Sequence, residues 1–338
     1  MPNLTDAERY IEKKLGIRLI RGSSPNLVIE RISTGLLTLD HILGGGLPLG
    51  RIVDIFGMPK IGKTSLALEI TRQYVERDWP VFYADVEHAL DPALAAVHEV
   101  DLNAVHFAAP VDGEDFLWGD KLLQSIYLLA REWDHGLFVV DSVPALIPHQ
   151  VFSSKDENEV SEAPALTARL LSTYLKIFAG SGVFAQRHNT VIFINQLRQN
   201  IGSMYATTVR PGGNALPFYA SLSLDIKRGD TYEDPTTKVP NGHLMSIRVE
   251  KNKCGPSFQK AAIPLMYATG FDHAFDIVQA GVLYGVVAVR GSWYQWHEVR
   301  EQGQPRFMTA LTENNLWETL QQEVQTQIAK GTAGGDPS

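Results

Sequence analysis

Gly57-Met58-Pro59-Lys60-Ile61-Gly62-Lys63-Thr64-Ser65 decides the fold, because two glycines five apart, followed by Lys and Thr, spell a backbone loop that wraps a phosphate. Glycine permits the positive φ angles and the close approach that such a wrap demands. Lys63 then sets an ammonium against the outer phosphates, Thr64 offers a hydroxyl to Mg²⁺, and the following helix aims its positive end at the anion. The flanks agree. Arg51-Ile52-Val53-Asp54-Ile55-Phe56 reads as a mostly buried strand, and Leu66, Ile70 and Tyr74 recur four apart on one helical stripe. A glycine-rich turn beside a surface lysine would lack that strand-before, helix-after context. The expected ligand is a nucleoside triphosphate, bound with Mg²⁺ through Gly57 to Ser65.

Outward from the loop, short apolar runs alternate with helical stretches: Val81 to Asp85, Leu137 to Asp141, Val191 to Asn195, Leu222 to Ile226 and Leu244 to Val249. That rhythm predicts an α/β fold with a mostly parallel sheet covered on both faces. Two irregular segments interrupt it, about 153–165, polar and acidic, and about 197–214, glycine-rich and weakly basic. Both follow strand ends, where open α/β sheets bind ligands. Ahead of the core lies a charged, helix-prone stretch around Asp6 to Leu15. After about Gly270 the chain becomes Trp-rich and ends in a polar helix near Trp317 to Ile328, with a tail at 329–338 expected to be disordered.

Composition narrows the function classes. The chain has 338 residues and a net charge of −8, so contact with nucleic acid requires a local basic surface working against the global field. A single cysteine, Cys254, excludes an internal disulfide framework and a cysteine-based zinc site. The N-terminus MPNLTDAERY lacks an apolar signal core, which predicts a cytoplasmic address. The longest apolar candidate, Gly281 to Val289, is far short of the roughly 20 residues that span a bilayer, so no membrane role is expected.

Three further positions complete a triphosphate site. Asp141 closes an apolar strand, where its carboxylate can reach the Mg²⁺ held by Thr64; alone it would read equally well as an ordinary strand-end Asp. Glu87, just past the strand ending at Asp85, is the leading candidate to activate water, although spacing alone also allows an exposed loop glutamate. Gln196, ending another strand, can sense the γ-phosphate.

The run Ser33 to Asp40 leads through Gly50-Arg51-Ile52-Val53 into the phosphate loop. It is followed by Asp85-Val86-Glu87-His88-Ala89-Leu90-Asp91-Pro92, Val140-Asp141-Ser142-Val143, Phe193-Ile194-Asn195-Gln196-Leu197-Arg198, Gly212-Gly213-Asn214-Ala215-Leu216 and Lys251-Asn252-Lys253. In this order, over about residues 8 to 328, the chain resembles the bacterial RecA recombinase family. The resemblance implies a RecA-like phosphate-loop core at 33–270, an N-terminal arm at 1–32 that docks on a neighbouring protomer, and a small α+β C-terminal domain at 271–328. It implies a homo-oligomeric helical filament on single-stranded DNA, in the presence of ATP, that pairs with double-stranded DNA and exchanges strands. By position, Glu87 then activates water, Gln196 couples the γ-phosphate to the DNA loop, and Asp91 lies near the adenine. Lys251 and Lys253 reach the neighbour's ATP, a turn that would otherwise read as solvated and basic. The irregular segments become DNA-binding loops, with Arg169, Lys176 and Arg198 on the backbone, Arg210 a local addition, Gly212, Gly213 and Asn214 closing the second loop, and Ile201 an apolar wedge; on its own Ile201 reads equally as core packing.

The chain also departs from the family. Leu94 stands where a Tyr usually stacks on adenine, Pro164 where the first loop commonly has Met, and Pro217 where an interface Lys is usual. Ala206-Thr207-Thr208-Val209-Arg210-Pro211 is one residue shorter than usual and lacks an acidic residue, the phosphate loop has an unusual Met58 to Ile61 interior, and no long acidic tail follows. These departures suggest a divergent member, of a kind that a phage or plasmid could carry. They keep open a regulatory or structural filament that binds ATP and DNA without strand exchange. A hexameric helicase-type motor fits the arm and the Lys251 to Lys253 turn less well.

Overall fold

The computed structural model describes residues 5–19, 28–114, 116–152, 163–199 and 208–333. Met1–Glu30 and Arg31–Ser338 form two compact units. In the first, α1 (Asp6–Leu15) is closed at its start by a reciprocal pair: Thr5 Oγ1 accepts from the Glu8 N–H at 3.2 Å, and the Glu8 carboxylate accepts from the Thr5 N–H at 2.6 Å. Gly16, at φ +67°, ends it in the left-handed cap that glycine favours. Tyr10, Leu15 and Ile17 are exposed.

The second unit is organised on a nine-stranded sheet: β1 (Ile52–Gly57), β2 (Val81–Asp85), β3 (Val105–Phe107), β4 (Leu137–Asp141), β5 (Thr190–Gln196), β6 (Leu222–Glu233), β7 (Pro240–Asn252), β8 (Lys260–Met266) and β9 (Gly270–Phe271). Its spatial order is β9-β8-β7-β6-β1-β5-β4-β2-β3. From β6 to β3 neighbours run parallel, as the alternating pattern predicts. The Leu244 to Val249 run differs. It lies in β7, which pairs antiparallel with β6 because only residues 234–239 join them, too few for the crossover a parallel neighbour needs.

Side-chain alternation in β1 shows how both faces are covered. Val53 and Ile55 join a core with Leu66, Ile70 and Tyr74 of α3 (Lys63–Val75). Ile52 points the other way, into a core with Leu122 and Ile126 of α5 (Gly119–Glu132) and Leu171 and Leu175 of α6 (Ala163–Gly180). Between α3 and α5 in the chain lies α4 (Pro92–Val97), and an early helix, α2 (Leu37–Leu43), precedes β1. A short helix, α7 (Ala215–Tyr219), follows the second irregular segment.

Beyond the sheet, α8 (His273–Leu283), α9 (Gln304–Glu313) and α10 (Trp317–Ala333) gather around a three-stranded antiparallel sheet of β10 (Ala288–Arg290), β11 (Trp293–Trp296) and β12 (Val299–Gln302). Its small core contains Trp296, Phe307, Leu311, Leu320 and Val324. The last helix continues past Ile328 to Ala333, so the first residues of the expected tail are helical. No helix of the described residues is long and apolar enough to cross a membrane.

Candidate functional site

The carboxyl ends of β1, β2, β4 and β5 converge on one cleft of about 520 Å³, lined by Pro59 to Ser65, Asp85, Glu87, Leu94, Asp141 and Gln196 among others. Strand register does this: Asp85 lies level with Asp141 and Gly57 with Gln196, so residues far apart in sequence share one edge. The loop's glycines are required by space as well as by torsion. A Cβ on Gly57 would overlap the Ile226 carbonyl oxygen, and Gly62, at φ +93°, lies against Met245 and Leu265.

Lys63 folds back over this loop, its Nζ donating to the carbonyls of Met58 (2.7 Å) and Gly57 (3.2 Å). Burial pushes its ammonium down to about 8, against the pull of Asp141 and Glu87. An anionic ligand would restore the charged form. Thr64 Oγ1 donates to Asp141 Oδ2 at 2.8 Å, and the Tyr83 hydroxyl donates to the same oxygen at 3.1 Å. Burial raises the Asp141 carboxyl, while these two hydrogen bonds oppose the rise. A hydroxyl and a carboxylate in direct contact, both hard oxygen donors beside a phosphate loop, fit Mg²⁺.

Glu87 is exposed at the cleft mouth and held at one oxygen. Its Oε1 accepts from Gln196 Nε2 at 2.6 Å and from Ser142 Oγ in a short contact. Asp91 caps α4 by accepting the Ala93 N–H at 2.8 Å. Leu94, one turn on, lines the cleft, as do His243, Leu265 and Tyr267. The His243 Nε2 lies 3.4 Å from the Ile61 carbonyl.

The second irregular segment leaves the cleft edge directly after Gln196. Arg198–Gln199, leaving β5, pairs antiparallel with Thr208–Val209. Gly212 and Gly213 then turn at φ +84° and +73°, against Leu171 and Ala168 of α6. Asn214 occupies the N-cap position of α7. Arg169 and Lys176 are exposed on α6, seven residues apart and therefore on nearly one face, and Arg198 is exposed as well. Ile201 and most of 153–165 lie outside the described residues. Arg210, also expected on DNA, is engaged within the chain. Its guanidinium bonds Asp54 at 3.1 Å and Glu250 in a short contact, and lies 3.3 Å from the centroid of the Phe56 ring. Internal carboxylates occupy its donors.

Lys251 and Lys253 stand apart from their own chain's cleft. Lys251 Nζ donates to the carbonyls of Pro217 (2.7 Å) and Phe218 (2.9 Å), and Lys253 Nζ to Phe218 at 3.4 Å. Burial, then the neighbouring Lys253, lowers the Lys251 ammonium.

Comparison with known proteins bears on this arrangement directly. The family described as the RecA N-terminal domain matches residues 3–272. A protein named RecA from Crocosphaera subtropica is 35% identical over 333 residues, 97% of this chain and 91% of that protein. One from Thermus thermophilus is 36% identical over 334 residues, covering 96% and 93%. The chain belongs to the RecA family. It therefore acts as a recombinase in DNA recombination and repair, binding ATP and DNA.

With the RecA family in hand, the geometry sorts the expected residues. Lys63, Thr64, Asp141, Glu87 and Gln196 meet in one cleft, with Asp91 capping the helix beside it. Lys251 and Lys253 do not join them within one chain. Sequence reading assigned no role to Ser142, Tyr83, His243 or Tyr267. Ser142 adjoins a motif residue, a usable signal. The other three lie on strands or turns whose facing depends on register, which no local spacing encodes.

Proposed function

We propose that this RecA-family chain is a DNA-dependent ATPase that binds ATP with Mg²⁺, assembles as a filament on single-stranded DNA, and pairs and exchanges strands with a homologous duplex in the cytoplasm. The supporting observation is the Gln196 bridge. Gln196 holds Glu87 at the cleft and lies two residues before Arg198, where the paired stems of the second loop begin.

In this reading the backbone of Gly57 to Ser65 wraps the phosphates, and Lys63 exchanges its loop carbonyls for phosphate oxygens. Thr64 and Asp141 hold Mg²⁺, which supplies charge neutralisation when bound. Glu87, fixed at Oε1 by Gln196 and Ser142, keeps its other oxygen available to orient and deprotonate water. Tyr267 offers the base an aromatic surface in the cleft that Leu94 also lines, and Asp91 sits at the same end. Lys251 and Lys253 serve the neighbouring protomer's triphosphate, adding positive charge where negative charge develops. Arg169, Lys176 and Arg198 contact DNA phosphates, which position the strand and leave homology to base pairing; the wedge role of Ile201 and the part of Gly212 to Asn214 as a loop hinge belong to the same proposal.

The experiment is steady-state ATP hydrolysis with and without single-stranded DNA, with Glu87→Gln as the blank. Stimulation by DNA that is lost in the blank supports the reading. Turnover indifferent to DNA refutes it and favours a filament that does not couple the two ligands.

A further inference from the structure

Arg210 sits where three parts of the molecule meet. It follows the Thr208–Val209 stem of the second loop, and Pro211, whose carbonyl accepts from Asn195 Nδ2 at 3.0 Å, comes next. Its side chain, 18% exposed, reaches down to Asp54, which is wholly buried. Asp54 and Phe56 alternate on one face of β1, ending one residue before Gly57 of the phosphate loop. The other half of the guanidinium fork meets Glu250, immediately before Lys251. One side chain, carried on the return stem of the second loop, therefore contacts both the strand that leads into the phosphate loop and the strand that ends in the Lys251 to Lys253 turn.

Local chemistry makes this joint stiff. A guanidinium binds two carboxylates in fixed directions while its face stacks on an aromatic ring, a combination that the point charge of Lys does not reproduce. Asp54 has little other support. Its Oδ1 has no hydrogen-bond partner among the described residues. Burial raises its carboxyl to about 7, with Arg210 pulling down, Glu250 pushing up and Lys251 pulling down. The joint also lies in the stretch where this chain departs from its family, between Ala206 and Pro211.

We infer that Arg210 is a positioning residue that locks the return stem of the second loop onto β1 and β7, so that occupancy of the nucleotide cleft and binding of DNA depend on one another. This rests on the ATP- and DNA-binding reading above. It assigns Arg210 no contact with DNA or nucleotide.

The test measures single-strand affinity with and without a non-hydrolysable ATP analogue, beside the affinity for a fluorescent ATP analogue in the absence of DNA. In the wild type the nucleotide should tighten DNA binding severalfold or more. Arg210→Gln should erase most of that factor while keeping DNA-free nucleotide affinity within about twofold. Arg210→Lys should restore it only in part. Because Arg210→Gln leaves Asp54 buried without its cation, the double variant Asp54→Asn/Arg210→Gln supplies a stable background; it should recover thermal stability and remain uncoupled. Full coupling in either glutamine variant overturns the inference and leaves the function standing. A wild type whose DNA affinity ignores nucleotide overturns both.

Discussion

Replacing the Glu87 carboxylate by an amide of the same shape separates binding from chemistry. Glu87→Gln keeps an oxygen for Gln196 and Ser142 but cannot take a proton, so turnover should fall by roughly 10² or more while ATP affinity stays within a few-fold. Single-turnover hydrolysis beside equilibrium nucleotide titration measures both, and wild-type turnover would remove Glu87 from the mechanism. Lys63→Ala acts earlier: it removes the buried ammonium that faces the loop carbonyls and should abolish measurable ATP binding by calorimetry. At this scale the sequence was informative where chemistry is contiguous. Gly57 to Ser65 names its own function, because the backbone of consecutive residues forms the site. Arg210 shows the opposite case. A basic residue in a loop looks available for DNA until the fold shows Asp54 and Glu250 beneath it, and those partners lie 156 and 40 positions away.

The helix α2 shows how one element depends on another. Leu36, at its N-cap, offers no side-chain acceptor, and the orphan N–H groups of Leu37 and Thr38 donate instead to the Asp276 carboxylate of α8, the Thr38 contact at 3.1 Å. Asp276→Ala should cost about 1–3 kcal/mol, read from the urea midpoint, with Asp276→Asn retaining part of it. Burial raises the Asp276 carboxyl from 3.8 to about 6. As pH rises from about 4 to 6 the unfolded chain has released this proton and the folded chain still holds it. Stability contributed by the protonated form is therefore lost across that window, by of order 2–3 kcal/mol. Urea midpoints at pH 4.5 and 7 should differ less in Asp276→Asn than in the wild type; an equal difference would assign the pH dependence to other groups. Nothing in the sequence near Leu37 announced this cap. The elements themselves were legible because β2 and β4 are uninterrupted apolar runs ending in Asp, whereas the antiparallel turn of β7 followed from a short connection whose importance appears only once β6 is seen to extend to Glu233.

Across the whole molecule, the separation of Lys251 and Lys253 from their own cleft is what a head-to-tail assembly would use. In such an assembly each nucleotide site takes Glu87 from one protomer and Lys251 from the next. Complementation tests this. Glu87→Gln and Lys251→Ala protomers are each expected to be inactive alone. Mixed in equal amounts and assembled at random, about one joint in four pairs an intact Glu87 with an intact Lys251, so about a quarter of the DNA-stimulated ATPase should return. If Lys251 served its own chain, no mixed joint would be complete and no activity would return. The DNA face makes a parallel demand at the same scale. The net charge of −8 opposes a polyanion, so under the proposed function the exposed Arg169, Lys176 and Arg198 supply the attraction locally. Arg198→Ala should weaken single-strand binding and reduce the slope of log affinity against log salt by about 0.7. An unchanged slope would place the strand on another surface. A reduced slope together with the returned quarter of DNA-stimulated activity would support both halves of the mechanism, the DNA-facing cations and the nucleotide site shared between protomers.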